Sequence, residues 1–425
     1  MLTQHPVPLS DRVRVVSAQG PAQLLNVLGI LKYQLRNEAN QYWEDHLVLG
    51  GFYIQGSDEN LARMKEACIN ISKSWNFKSV KYLSDNDLSI NSSFFETVES
   101  VRQKLNIGFF ERIYVCRNWQ PFNEILLECC PSAVKICYGD GFGLLDIRGG
   151  IDHRPSINPR GSWKLNQAYL FVPVEIESKC FALVDDIIQP PIDYLINIIN
   201  DIASNITELK TYTKFLTNNS DKKLILVTTS NLTESSTIKP GLGWLLRLVS
   251  AANRRLLLLK IHTLEKPLNF LQQRANSISH LAKREALMYF NQVIRYSSRN
   301  DFIIIKPHPR ETLNQSGMLC HLLSQRGYEA AVIDKNFSHV PVEFFFNHLS
   351  FSKVISCSSS SSLTAKLILG MDKGRIFPFI DRDLSKKYLS SFYCSSSERM
   401  EKLWIDLIDQ AELKTLSPLR LMDYE

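Results

Sequence analysis

Several function classes are excluded by what the chain does not contain. Its 425 residues hold no uninterrupted apolar stretch of about 18 residues, so no membrane-crossing helix is expected. The opening, MLTQHPVPLSDRVRVVSAQG, has no continuous apolar core, and no secretory leader is expected either. Nine cysteines occur (Cys68, Cys116, Cys129, Cys130, Cys137, Cys180, Cys320, Cys357 and Cys394), an odd number with no CxxC pair and several members inside apolar runs. Reduced core thiols of a cytoplasmic protein are expected in place of a disulfide or zinc framework. No HExxH or paired-histidine spacing marks a catalytic metal. Neither GxxxxGK-S/T nor GxGxxG is present, and YGDGFG has the wrong spacing for either. Charge is not one-sided, since 49 basic and 43 acidic side chains leave +6. That mild excess suits an anionic ligand or a negatively charged membrane surface. Without interleaved basic and aromatic residues it does not suit nucleic acid.

What is present is a soluble globular composition, 44% hydrophobic and 22% charged, long enough for two cores. Strand and helix patterns alternate. Arg12–Ser17 reads as a strand, Gln19-Gly20-Pro21 as a turn, and AQLLNVLGILKYQL as a helix with Pro21 in its first turn. LVLGGFYI, VKYL, ERIYVC and AVKIC read as further strands, with NLARMKEACINISKSW and FNEILLECC as helices between them. A Pro190-Pro191 break precedes one long apolar helix, IDYLINIINDIASNITELKTYTKFL, and then the polar run TNNSDKK. This composition shift places a domain boundary near residue 220, giving domains 1–220 and 221–425. The second domain repeats the rhythm through KLILVTT, DFIIIKP, EAAVID, a helix through FFFNHL, KVISC, a helix from Ser362, and RIFPF. The expected fold is α/β, with parallel, doubly wound sheets.

In such sheets ligands gather beyond the carboxyl ends of strands, and three of those ends carry unusual residues. AVKIC runs into Tyr138-Gly139-Asp140-Gly141-Phe142-Gly143. A carboxylate bracketed by glycines can approach a sugar hydroxyl and accept its proton, although a Gly-rich turn with a solvated Asp looks the same in sequence. IIIKPHPR delivers Lys306, His308 and Arg310 from a turn stiffened by Pro307 and Pro309. Cations plus a proton-donating imidazole suit a phosphate, and a solvated surface turn is the plain alternative. KVISCSSSSSLTAKLILG places five serines, Ser358–Ser362, at a helix start. Their hydroxyls and the free amides there suit an anion, where ordinary capping needs one serine.

In this order the three patches resemble the bacterial sialyltransferases, in particular the polysialyltransferase-like and lipooligosaccharide sialyltransferase groups. Those carry a short acidic D/E-D/E-G motif, an HP motif and a serine/threonine motif, here Gly139-Asp140-Gly141, His308-Pro309 and the serines before Leu363. QLLN (Gln23–Asn26) and PVEFFF (Pro341–Phe346) are similar to further patches of those proteins. The resemblance implies a GT-B fold, two Rossmann-like domains facing a central cleft. It also implies a CMP-sialic acid donor, inversion at the anomeric carbon, and neither a metal nor another cofactor. Carried over, Asp140 would be the general base and His308 would hydrogen-bond or protonate the leaving phosphate. Ser360 and Ser361 would hold that phosphate, with the register open by one or two within Ser358–Ser362 and with Ser359 and Ser362 in support, and Glu343 would take the ribose hydroxyls. Lys306 and Pro309 would line the donor site, with Gly141 and Arg310 in support.

The first acidic position is Gly139, which departs from the motif and leaves Asp146, Glu124 and Asp152 as substitute bases. His153 either lines the acceptor site or is an incidental loop histidine. Trp244–Ile261 mixes arginines with aliphatics and reads as a core helix or as a segment resting on anionic lipid at the inner membrane. The expected partners are a nucleotide-sugar donor and a glycan acceptor of surface or capsular polysaccharide. The alternatives are a donor with another CMP-linked acid such as Kdo or a UDP-sugar, and a degenerate, non-catalytic glycan- or nucleotide-binding protein.

Overall fold

A computed structural model describes residues 12–38, 41–52, 58–90, 93–117, 120–139, 156–171, 184–217, 221–230, 282–309, 311, 314–357 and 361–379, with 402, 405, 406, 408 and 409. The chain divides into two compact units, Met1–Ile206 and Thr207–Glu425.

In the first unit, β-branched and aliphatic runs bury both faces as parallel strands, and the amphipathic segments between them return as helices. The order is β1 (Arg12–Ala18), α1 (Pro21–Asn37), β2 (Trp43–Gly50), α2 (Asp58–Ser72), β3 (Ser79–Leu83), α3 (Phe94–Leu105), β4 (Arg112–Val115), α4 (Pro121–Cys129), β5 (Val134–Cys137), β6 (Leu165–Tyr169), β7 (Val184–Ile188) and α5 (Asp193–Asn205). The sheet runs β3-β2-β1-β4-β5-β6-β7. All of its pairings are parallel. Val15, Val48, Ile113, Ile125 and Cys137 belong to its fully packed core. Gly29 lets α5 lie close on α1, because a Cβ there would stand 2.9 Å from Phe171 Cζ and 3.2 Å from the Leu195 backbone.

The second unit holds α6 (Thr207–Thr217), β8 (Leu224–Thr228), α7 (a helix over 282–296), β9 (Phe302–Lys306), α8 (Gln315–Gln325), β10 (Glu329–Val332), α9 (Val342–Phe346), β11 (Phe351–Cys357), α10 (Ser361–Leu369) and β12 (Ile376–Phe379). Its sheet is again parallel, in the order β10-β9-β8-β11-β12. Ile225, Val227, Ile303, Ile305 and Ile355 supply its core. Each unit is thus a Rossmann-like α/β domain whose strand order reverses beside its first strand, at β1/β4 and at β8/β11.

Three expectations shift. The strand expected from LVLGGFYI ends earlier, at Gly50, because Gly51 turns the chain at φ 57. The single long helix is two, parted at Ile206. The division also falls there, earlier than residue 220. On the second-unit side, Tyr212 of α6 stacks on Phe337 at 4.5 Å and its hydroxyl accepts the Asp334 N–H at 2.8 Å. Strands β6 and β7 and helix α3 also form where no element was expected.

One buried ion pair ties the centre of the first sheet together. Arg14 and Asp45 are direct neighbours in the β1–β2 register. Arg14 donates from Nε and Nη2 to the two Asp45 oxygens at 2.6 and 2.8 Å, and Trp75 Nε1 donates to the same carboxylate at 2.8 Å. Asp45→Ala leaves the Arg14 guanidinium, 2% exposed, without its counter-charge. Urea denaturation should show a loss of about 3–5 kcal/mol.

Candidate functional site

The second unit concentrates polar residues at its carboxyl edge. In register, Lys306 of β9 lies beside Thr228 of β8, and Thr228 beside Ser356 of β11. Lys306 and Thr228 end their strands after Ile-Ile-Ile and Leu-Ile-Leu-Val, and Ser356 follows Val354-Ile355 as the last residue but one of β11, so a polar rung crosses the sheet at its reversal point. All three are buried and each is answered. The Thr228 and Ser361 hydroxyls meet at 2.7 Å, those of Ser356 and Ser362 meet at 2.5 Å, and Lys306 Nζ donates to Ser338 O. The start of α10 is thereby held on the sheet, as a serine-rich helix opening after a strand allows.

Glu343, in the first turn of α9, joins the same cluster. Its carboxylate accepts the Thr364 hydroxyl at 3.2 Å and stands in the field of Lys306. The turn after β9 is fixed from below. The His308 N–H donates to Thr229 Oγ1 at 2.9 Å, and His308 O accepts the Glu311 N–H at 2.9 Å. Glu311 in turn accepts the Ser316 N–H at 2.8 Å and the Ser316 hydroxyl at 2.6 Å, which caps α8. The imidazole is therefore carried on a turn pinned at both ends, with Pro309 following it.

Electrostatically the cluster is close to balance. Burial draws the Lys306 ammonium down to about 7, against the raising influence of Glu343 and Glu311. Burial likewise pushes both of those carboxyls up. A buried lysine that titrates near neutrality gains its proton most readily when an anion arrives beside it. The described residues hold no group of three or more His, Cys, Asp or Glu suited to a metal ion.

The expected donor residues Lys306, Pro309, Glu343 and Ser361, with the supporting Ser362, thus lie with His308 at one sheet edge. Ser361 and Ser362 direct their hydroxyls to the sheet, so the α10 opening is anchored by the two serines expected to hold or support a phosphate. Asp140, Gly141, Arg310, Ser359 and Ser360 lie outside the described residues, as do Asp146, Asp152, His153 and 244–261. Thr228, Thr229, Glu311 and Thr364 were not anticipated. The polar ending of LILVTTS was the available signal, of the kind read in KPHPR and SSSSS.

In the first unit β5 is followed by Tyr138, whose buried hydroxyl donates to Ser17 O at 2.7 Å, and by Gly139 at φ 75. The position before Asp140 therefore takes a backbone conformation that favours glycine. Glu124 is a brace: buried in α4, it accepts the Asn158 N–H at 3.0 Å and the Ser156 hydroxyl. Gln23 of the QLLN patch accepts the Gln19 N–H at 2.9 Å, ahead of α1. Of the cysteines, Cys68, Cys116, Cys129, Cys130, Cys137 and Cys357 are buried and unbridged, and Cys320 is half-buried. Burial lifts the thiols of Cys116, Cys129 and Cys137 to about 12.

A cationic, hydroxyl-lined rung at the reversal point of a Rossmann-like domain has the chemistry to receive an anionic ligand. Residues 270–374 match the family model of the alpha-2,8-polysialyltransferases (POLYST), a span that includes Lys306, His308, Glu343 and the serine run. The match supports the sialyltransferase-like resemblance and glycosyltransferase activity. No curated protein matches the chain significantly. Among solved structures, a UDP-N-acetylglucosamine 2-epimerase described from Listeria monocytogenes is similar at TM-score 0.41 and 11% identity, over 94% of this chain and 88% of that one. The N-terminal domain of Candida albicans trehalose-6-phosphate phosphatase is similar at TM-score 0.37 and 11% identity, over 95% and 97%. At these scores neither likeness adds to the fold read from the strand order. No described helix is long and apolar enough to cross a membrane.

The direction of the Lys306 shift sets a pH dependence. Its pKa is lower folded than unfolded, so between about 7 and its ordinary value the unfolded chain binds more protons. Wild type should gain stability relative to Lys306→Met as pH rises from 7 to 10, measured by urea denaturation at each pH.

Proposed function

We propose that the protein is an inverting, metal-independent glycosyltransferase that moves sialic acid from CMP-sialic acid to a glycan acceptor of surface or capsular polysaccharide. The observation that carries this reading is the joining of His308, Lys306, Glu343 and the α10 opening on one sheet edge, inside the span that matches the polysialyltransferases. Glu343 takes the ribose hydroxyls of the cytidine, and the amides of the α10 opening take the phosphate together with the serines that precede it in sequence, Ser359 and Ser360. Asp140 removes the proton of the acceptor hydroxyl, whose oxygen attacks the anomeric carbon from the face opposite the phosphate. The bond from that carbon to the phosphate oxygen breaks and CMP departs with its electron pair. His308 donates to the departing oxygen, and Lys306 in its protonated form supplies counter-charge to the new dianion. Work on such an acceptor places the protein on the cytoplasmic side, with peripheral contact to the inner membrane and no role for nucleic acid.

The enzyme is to be incubated with CMP-sialic acid and sialylated or galactose-ended acceptors while CMP release is followed. Asp140→Ala and His308→Ala should each lower the rate by about 100-fold or more, with circular dichroism unchanged. Wild-type rates in both variants would remove the assignment. The donor is tested separately by melting. CMP at about 100 times its Kd should add about 2.7 kcal/mol, and an equal response to UDP or GDP would change the donor class.

Gly139, standing where those proteins carry an acid, favours a second reading, a binding protein that has lost turnover. It is distinguished by CMP binding with no release from the donor. The φ of 75 at Gly139 weighs against it, since glycine there answers a backbone need.

A further inference from the structure

The opposite edge of the second sheet, where its strands begin, opens into a cavity of about 710 Å³. Lys223 immediately precedes β8, Asp301 precedes β9, Lys353 lies at the start of β11 and Arg375 precedes β12. Arg295, near the end of α7, completes a lining of four cations against one carboxylate. That carboxylate is already engaged, since Asp301 accepts the Ser298 N–H at 2.7 Å.

Ordinary structural duties account for only part of this charge. Lys353 donates to Tyr296 O at the end of α7, where a helix carries roughly half a negative charge that one cation suffices to answer. Arg375 donates from Nε to Ser352 O at 2.6 Å and from Nη2 to Phe351 O at 3.1 Å. Both acceptors lie at the start of β11, so the guanidinium is held in place with Nη1 unused among the described residues. The side chains of Lys223 and Arg295 make no hydrogen bond or ion pair with a described residue. Four cations around one cavity repel one another, and three of them keep donor capacity directed at no acceptor among the described residues.

A doubly charged tetrahedral oxyanion answers the excess better than a single carboxylate, because its oxygens can take several N–H groups at once. An arginine already fixed by backbone acceptors loses little freedom on engaging it. We propose that this cavity is a second binding site, for a phosphate-bearing ligand, on the sheet edge opposite the nucleotide-type rung. It stands independently of the proposed transferase activity.

The full chain is titrated calorimetrically with inorganic pyrophosphate, in wild type, in Lys223→Gln/Arg295→Gln, and in Lys210→Gln/Lys214→Gln. The last pair removes two exposed lysines of α6 and so the same charge. The same proteins are sedimented with vesicles of phosphatidylglycerol and of phosphatidylcholine. Any pyrophosphate binding at the opposite edge is common to all three proteins and cancels. The cavity variant should bind pyrophosphate or phosphatidylglycerol at least tenfold more weakly than the α6 variant. A loss confined to pyrophosphate identifies a soluble phosphate, and a loss confined to phosphatidylglycerol identifies a lipid headgroup. Equal behaviour of the cavity and α6 variants in both arms overturns the proposal.

Discussion

Burying Lys306 at the end of an apolar strand constrains much of the second unit. An ammonium group so far from water is costly unless partners surround it, and its neighbours are arranged accordingly. Ser338 turns a carbonyl toward it, while Glu343 and Glu311 hold their carboxyls within its field. Glu343 needs Thr364, which sits on α10, and Glu311 needs Ser316, which opens α8. One poorly solvated charge thus couples two helix openings and the histidine turn. The same burial shifts all three groups toward their neutral forms.

The first unit treats buried charge in the opposite way. Arg14 is matched by both oxygens of Asp45 and packs 4.9 Å from the Trp43 ring, against which Arg12 and Arg112 also lie at 4.4 Å. Arg112 is satisfied by both Glu38 oxygens at 2.9 and 3.0 Å. Such a closed network specifies pairing among β1, β2 and β4. Partnered arginines reinforce one sheet, and a lysine held by a backbone carbonyl and by the field of two carboxyls marks the polar edge of the other.

Legibility in the sequence followed burial. Strands with continuous Ile, Leu and Val, such as Leu224–Thr228 and Phe302–Lys306, were plain because both faces are covered. β6 (LNQAY) and β7 (VDDII) were not, since toward the sheet margin polar residues replace the apolar run and pairing with a neighbour makes the strand. The break at Ile206 escaped for a related reason. Apolar residues continue across it, and only packing of Leu195 and Ile199 in one unit and of Tyr212 in the other separates the two helices.

Glu343 came from the resemblance of PVEFFF to a family patch, whereas from residue order alone came the two α/β halves, the strand ends worth watching, and the residues Lys306 and His308. Each of these depends on local pattern: an apolar run, a proline-stiffened turn, a serine-rich helix start. The partnership of Thr228 with Ser361, the pinning of His308 by Thr229, and the depressed lysine depend on register and on exclusion of water. Those are properties of strands aligned side by side and of dielectric depth, and no spacing along a single chain encodes them without the fold.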